Sequence, residues 1–220
     1  MASPQVKICG LTRRRDILHA EEAGAAYVGA VLVPRSPRAV DSDGARRLFE
    51  GLTIPTVAVV VDRSSDDLLR VVDSVGPAVL QLHGDESPEL VGELRDRTSV
   101  RIWKAVGVRG PEDIQKAVEA YGSLVDGFVL DTWDPQQRGG TGRPFPWEKV
   151  RGAVRQVNGG PLLVAAGGLN VDNVREAAEL LRPDVVDVSS GVEVEAGVKD
   201  PGLVVQFIRQ ARAAEWGGQE

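Results

Sequence analysis

The stretch Val6-Lys7-Ile8-Cys9-Gly10-Leu11-Thr12 (VKICGLT) shows the unit from which the whole chain is built. It begins as a short apolar strand, stops at a glycine and leads into a helical pattern. It also holds the only cysteine of the chain. Residues two apart in a strand share a face, so we expect Lys7 and Cys9 to point the same way. The rest of the sequence repeats this order of strand, turn and helix.

Apolar runs rich in Val, Ile and Leu alternate with helical patterns along the 220 residues. The runs lack polar alternation, which is typical of strands covered on both faces in a parallel sheet. The predicted strands are Gln5–Cys9, Ala26–Val33, Thr56–Asp62, Ala78–His83, Val100–Val106, Gly127–Asp131, Leu162–Ala166 and Val185–Val188. The predicted helices are Thr12–Ala23, Ser42–Gly51, Asp66–Ser74, Pro88–Asp96, Pro111–Tyr121, Pro146–Val157, Val171–Leu181 and Pro201–Ala214.

This alternation, with short connections except around Trp133–Phe145, predicts an α/β fold: a single-domain (β/α)8 TIM barrel. An open, doubly wound sheet is the alternative. The barrel domain is expected to span residues 1–220, with 215–220 as a frayed tail.

Several predicted helices follow a residue suited to capping their first turn. These residues are Asp41, Ser64, Ser87, Asn170 and Asp200.

Composition excludes several classes of function. The formal charge of -6 argues against a nucleic-acid or anionic-membrane partner. No apolar run approaches the roughly 18 residues of a membrane span, and MASPQVKICG lacks the apolar core of a secretory signal. One cysteine cannot form an internal disulfide, which is compatible with a reducing compartment. We therefore expect a cytoplasmic protein with a small-molecule ligand.

In such barrels the chemistry sits at the carboxyl ends of the strands. Two of these ends, Ala165–Asn170 (AAGGLN) and Asp187–Glu193 (DVSSGVE), are glycine-containing turns that follow the last two strands. Backbone N–H groups of such turns commonly hold phosphate, so we predict a phosphate site there. The alternative is that Gly167-Gly168 is merely a tight turn. The other polar strand ends are Lys7, Cys9, Arg38, Asp62, Gln81, His83, Lys104 and Asp131.

Cys9 and Asp131 could form a base–acid pair across the mouth of the barrel. A nearby Lys7 ammonium would favour the thiolate of Cys9, whose unperturbed pKa is about 8.5. Asp131 follows an apolar run and could stay protonated in a dry pocket. The alternatives are a buried structural cysteine and a loop-bonding aspartate.

Two further features of the sequence bear on ligand binding. Arg138–Trp147 (RGGTGRPFPW) is glycine-rich but fits neither a Walker motif nor a dinucleotide fingerprint, so a lid or ligand-side loop fits better. No cluster of metal ligands is seen, because His19 lies in a helical pattern and His83 is isolated. We therefore predict no metal.

Seven motifs follow one another along nearly the whole chain. They are VKICGLT at 6–12, SPR at 36–38, QLHG at 81–84, LDT at 130–132, GGTG at 139–142, AGGL at 166–169 and DVSSGVE at 187–193. In this order they resemble the phosphoribosylanthranilate isomerase family. The resemblance implies an Amadori rearrangement without a cofactor, in tryptophan biosynthesis. It converts N-(5-phosphoribosyl)anthranilate to 1-(2-carboxyphenylamino)-1-deoxyribulose 5-phosphate.

The resemblance also implies roles for individual residues. Cys9 would be the general base that removes the C2 proton, and Asp131 the general acid that opens the furanose ring. Arg38 would hold the anthranilate carboxylate, a role that suits a guanidinium group. The remaining implied substrate contacts are Lys7, His83, Gly142, Gly167, Gly168, Ser189, Ser190 and Gly191.

Two other functions stay open on the sequence. One is a related barrel isomerase that acts on another aminated ribose phosphate. That family looks to use aspartates as both acid and base, so the cysteine at position 9 argues against it. The other is a non-catalytic protein that binds a phosphorylated ligand. We expect a phosphorylated small-molecule substrate as the partner, and a monomer rather than a homodimer.

Overall fold

The computed structural model of the protein describes residues 3–132, 146–157 and 160–216. Eight parallel strands close into a barrel, each paired with its neighbours in chain order and the last paired with the first. The (β/α)8 prediction is confirmed, and the open-sheet alternative is wrong. The strands are β1 (Gln5–Ile8), β2 (Tyr27–Val31), β3 (Thr56–Val60), β4 (Val79–Leu82), β5 (Arg101–Val108), β6 (Gly127–Thr132), β7 (Leu162–Ala165) and β8 (Val185–Val188).

A helix follows each strand. The helices are α1 (Arg14–Glu22), α2 (Ser42–Phe49), α3 (Ser65–Val75), α4 (Pro88–Arg97), α5 (Pro111–Tyr121), α6 (Trp147–Gln156), α7 (Val174–Leu181) and α8 (Pro201–Arg212). Four of the predicted caps are confirmed, since each side chain accepts a hydrogen bond from the backbone N–H three residues on. They are Asp41, Ser64, Ser87 and Asp200.

The predicted start of α7 is wrong. The sequence places Asn170 before a helix that begins at Val171, but α7 begins at Val174. The side-chain Oδ1 of Asn170 instead accepts hydrogen bonds from the backbone N–H groups of Asp172 and Asn173, at 2.9 and 3.2 Å. Asparagine forms such local turns readily, and this one delays the helix by three residues.

The two-residue period of the strands divides the apolar side chains into two sets. One set packs against the helices, and the other fills the interior of the barrel. Register pairs such as Val57 with Val79, and Val129 with Val164, face the interior together. Because both faces are covered, the strands read as continuous apolar runs.

Aromatic side chains fill the interior near the amino-terminal ends of the strands. The rings of Tyr27 and Trp103 lie 5.1 Å apart, and the guanidinium of Arg101 lies 5.9 Å from the centre of the Tyr27 ring. This end is a packed core, whereas Asp131, a buried polar residue near the carboxyl end of β6, lies toward the opposite end. That end is where a ligand can approach.

Three short elements between β8 and α8 were not predicted. They are a 3-10 turn (Ser190–Val192) and the strands β9 (Glu193–Glu195) and β10 (Val198–Lys199), which pair antiparallel. They bring Lys199 back toward the end of β8. Within the part of the chain that the structure describes, no helix has the length and apolar content needed to cross a membrane.

Candidate active site

A buried ion pair joins the first and last strands at the carboxyl end of the barrel. Lys7 and Asp187 are register partners, and Lys7 Nζ lies 2.6 Å from Asp187 Oδ2. Cys9, two residues after Lys7, also packs into the interior cluster. The predicted common face of Lys7 and Cys9 is confirmed. The Lys7 ammonium is shared with Asp187 rather than reserved for the thiol.

The pKa of the Cys9 thiol is raised above its ordinary value. Burial is the largest cause, because it disfavours the charged thiolate. Lys7 acts in the opposite direction and lowers the pKa of Cys9, while the negative charge of Asp187 raises it further. Lys7 therefore lowers the pKa of Cys9, as predicted. Burial is the larger effect, so the overall pKa is raised.

A second ionic cluster lies beside the thiol. Arg38 donates to both carboxylate oxygens of Glu193, from Nε at 2.9 Å and from Nη2 at 2.7 Å. Lys199 Nζ donates to Glu193 Oε1 at 2.7 Å and to the backbone oxygen of Ser189 at 3.0 Å. Burial alone would raise the pKa of Glu193, but Arg38 and Lys199 lower it below its usual value. Glu193 is therefore a firmly ionised anchor for Arg38.

Gly10 allows three strand ends to meet in this region. Its φ of +70° lies in the region that favours glycine. A Cβ atom here would lie 2.5 Å from Cδ of Arg38 and 2.6 Å from Oγ of Ser189. Only a residue without a side chain lets the turn after β1 sit against Arg38 and Ser189.

A chain of hydrogen bonds links the ends of β4 and β6. Asp131 Oδ2 lies 3.1 Å from His83 Nε2, and Asp131 Oδ1 accepts a bond from the Thr132 backbone N–H at 2.7 Å. His83 Nδ1 lies 2.9 Å from the amide nitrogen of Gln81. His83, which looks isolated in the sequence, is thus a direct neighbour of the predicted acid.

The predicted phosphate turns lie against each other. Gly167 and Gly168 both have positive φ, and a Cβ on Gly167 would lie 2.6 Å from Asp131 Oδ1. A Cβ on Gly191 would lie 2.1 Å from the backbone oxygen of Leu169. The turns after β7 and β8 therefore pack closely together, and the first also touches Asp131.

Two residues singled out in the sequence do not join this cluster. Lys104 is buried outside the interior set, with its Nζ 3.2 Å from Glu86 and 2.7 Å from the backbone oxygen of Gly84. Its position fits a structural role in the loop after β4. Gly142 lies outside the described residues, as does nearly all of the glycine-rich loop. In the ranges described, no three His, Cys, Asp or Glu side chains are grouped to hold a metal ion.

The roles of Glu193 and Lys199 were not predicted. Glu193 ends the quoted DVSSGVE motif, and Lys199 lies on the unpredicted strand β10. Their partners are distant in sequence, since 155 positions separate Arg38 from Glu193. A glutamate directly after a ligand-side turn was the one available signal.

Comparison with known proteins gives a consistent result. The family model of N-(5'phosphoribosyl)anthranilate (PRA) isomerase matches residues 6–210. An N-(5'-phosphoribosyl)anthranilate isomerase of Rhodopseudomonas palustris strain HaA2 is 44% identical over 216 residues, covering 96% of each protein. The Brevibacillus brevis protein of that name is 35% identical, over 96% of this chain and 95% of its own length.

Solved structures agree with these relatives. The phosphoribosyl anthranilate isomerase of Thermotoga maritima superposes with a TM-score of 0.85 at 36% identity, covering 94% of this chain and 98% of that one. Another structure of a phosphoribosyl anthranilate isomerase contains reduced 1-(o-carboxyphenylamino)-1-deoxyribulose 5-phosphate. It gives a TM-score of 0.81 at 35% identity, with the same coverage.

Asp187→Asn should lower the pKa of Cys9. The substitution removes a negative charge that raises this pKa, and the Lys7 cation then faces the thiol without a competing carboxylate. The pH dependence of alkylation by iodoacetamide measures the pKa, and the chain has only one cysteine to react. Asp172→Asn, an equal charge change at an exposed position, is the control. An unchanged or raised pKa in Asp187→Asn would contradict the assignment.

Proposed function

The chain belongs to the N-(5'-phosphoribosyl)anthranilate isomerase family, and we propose that Cys9 and Asp131 are the general base and general acid of its reaction. The protein is an isomerase of tryptophan biosynthesis. It converts N-(5-phosphoribosyl)anthranilate to 1-(2-carboxyphenylamino)-1-deoxyribulose 5-phosphate by an Amadori rearrangement. The open alternatives, a different aminated ribose phosphate or a non-catalytic role, have no support from these similarities.

One observation carries the assignment of roles. Cys9 directly follows β1 and Asp131 lies on β6, on different sides of the barrel, and both project into its interior at the carboxyl end. A sugar bound between the two side chains could receive a proton from Asp131 on one side and lose a proton to Cys9 on the other. The glycine turns that suit phosphate lie at the same end, beside Asp131.

The proposed reaction begins with two proton transfers, one from Asp131 and one to Cys9. Asp131 donates a proton to the furanose ring oxygen, the bond from that oxygen to C1 breaks, and the C1–nitrogen bond becomes an iminium. The Cys9 thiolate then takes the proton from C2, that electron pair forms the C1–C2 double bond of an enol-amine, and the π electrons of the iminium return to nitrogen as a lone pair. Tautomerisation of the enol to the ketone at C2 and a methylene at C1 gives the product. No electrons are gained or lost overall.

The raised pKa of Cys9 is compatible with its role as a base. A thiol with a raised pKa is ionised less often, but its thiolate binds a proton more strongly. Lys7 and Lys199 both favour the ionised form, so the site holds cations that offset the cost of burial. The thiolate is therefore a small but reactive fraction of the enzyme near neutral pH.

We propose that Arg38 holds the anthranilate carboxylate. Glu193 fixes the guanidinium through Nε and Nη2, and a guanidinium has five N–H donors in all. Donors thus stay available for a second carboxylate in a pre-set orientation. The neutral turns with Gly167, Gly168, Ser189, Ser190 and Gly191 are the proposed holders of the phosphate at the other end of the substrate.

Lys7, His83 and Gly142 stay predicted substrate contacts.

We also propose that the protein acts as a cytoplasmic monomer. Among the described residues, three large apolar side chains are exposed, and they lie on α1, β9 and α8 rather than on one element. One related structure is of monomers generated from a dimeric enzyme of Thermotoga maritima. Sedimentation equilibrium showing a dimer would contradict this proposal.

Cys9→Ser and Asp131→Asn should each lower kcat by about 10²-fold or more, the usual contribution of a general base or acid. A serine hydroxyl is too weakly acidic to supply the base, and an asparagine amide cannot donate the proton. The measurement is the loss of substrate fluorescence at saturating substrate, with product affinity by calorimetry as a check on the folded site. A variant that keeps more than about a third of the wild-type kcat would remove that residue from its role.

Arg38→Met should weaken product binding by about 1.5–3 kcal/mol, the contribution of a charge-assisted hydrogen bond. Affinity for a ribose phosphate without the anthranilate ring should stay nearly unchanged. Calorimetric titration of both ligands tests this, with Arg35→Met, an exposed arginine of the same loop, as the matched control. Equal losses for the two ligands would assign Arg38 to the phosphate or to the fold.

A further inference from the structure

We infer that Gln81 is a positioning residue for this reaction, because its amide fixes the tautomer of His83 and thereby makes His83 a hydrogen-bond donor to Asp131. The inference rests on the proposed function, in which Asp131 is the general acid. It adds two residues, Gln81 and His83, whose side chains form a row of hydrogen bonds from the barrel interior to Asp131.

The geometry of this row sets the direction of each hydrogen bond. Gln81 lies on β4 and is 1% exposed. Its Nε2 is 2.9 Å from His83 Nδ1, and an amide nitrogen can only donate. Nδ1 must then carry the lone pair, so the proton of the neutral imidazole sits on Nε2. That nitrogen is 3.1 Å from Asp131 Oδ2 and donates to it.

This direction suits an acid that must give its proton to the substrate. The Thr132 N–H and the His83 Nε2–H each contact one oxygen of Asp131. Both bonds strengthen as the carboxylate forms, so they stabilise Asp131 after it has lost its proton. In the other tautomer, Nε2 would carry a lone pair aimed at Asp131. The proton of the acid would then be held by His83 and would be less available to the sugar.

The surroundings of Gln81 argue against a purely structural role. Its register partners are Val59 and Trp103, and they face the same interior cluster. Within the described residues, Oε1 of Gln81 is buried without a hydrogen-bond partner. An apolar side chain of equal size would avoid this cost. The amide therefore fits a position where its N–H is needed, and in the described part of the chain that N–H contacts His83.

Nitrogen NMR of the protein labelled with 15N-histidine tests the inference directly. The chain has two histidines, His19 and His83, and the spectrum of His83→Asn assigns them. At about pH 8, where an unperturbed imidazole is neutral, wild-type His83 should show a protonated Nε2 and an unprotonated Nδ1. Gln81→Met, similar in size but without a donor, should show a mixture of tautomers. A protonated Nδ1 in the wild type, or the wild-type tautomer in Gln81→Met, would overturn the inference.

Kinetics supply the second measurement. Gln81→Met should lower kcat by about 10- to 100-fold, part of the contribution of a general acid, with KM nearly unchanged. Gln206→Met, at an exposed position on α8, should leave kcat at the wild-type value. If Gln81→Met does not fold, Gln81→Glu replaces it. Its carboxylate can only accept a hydrogen bond, from an N–H at Nδ1, so the proton of the neutral ring should sit on Nδ1 and kcat should fall.

The two proposals can fail separately. Wild-type activity in Asp131→Asn would overturn both, because the acid itself would be misassigned. An inactive Asp131→Asn together with an unchanged kcat in Gln81→Met would overturn the role of Gln81 alone. A change in tautomer with loss of kcat is the result that supports the inference, since a merely structural substitution has no reason to move the proton from one ring nitrogen to the other.

Discussion

The ion pair between Lys7 and Asp187 is the interaction on which the site depends. It joins the two strands that close the barrel, and both side chains are almost completely buried. Charges so far from water are tolerated only as partners, and loss of either leaves the other uncompensated. The pair also sets the electrostatic surroundings of Cys9, because its cation and its anion act on the thiol in opposite directions. The same ion pair thus joins the strands that close the barrel and influences the ionisation of Cys9.

Charged groups of alternating sign continue outward from this pair. Arg38, Glu193 and Lys199 form a second cluster in which a single carboxylate holds two cations. Both cations lower the pKa of Glu193, and each is held in place by that carboxylate. This arrangement provides positive charge for an anionic substrate while the chain as a whole carries a formal charge of -6. Local placement, not net charge, decides what the site can bind.

The fold could be predicted because strands covered on both faces leave continuous apolar runs in the sequence. Lys7 with Cys9 could be predicted as well, since a spacing of two fixes a common face. The contact of His83 with Asp131 could not, because β4 and β6 are not paired and meet only through the curvature of the barrel. The raised pKa of Cys9 could not either. Its main cause is burial, which depends on the packing of every strand around it.

The most direct test of this account compares the rate of proton abstraction with the ionisation of the thiol. Single-turnover rates and thiol alkylation are measured against pH in the wild type and in Asp187→Asn. If the Cys9 thiolate is the base, the rate rises with pH along the titration curve of the thiol, and the two curves move together to lower pH in the variant. A rate curve that stays in place while the thiol curve moves would contradict the account.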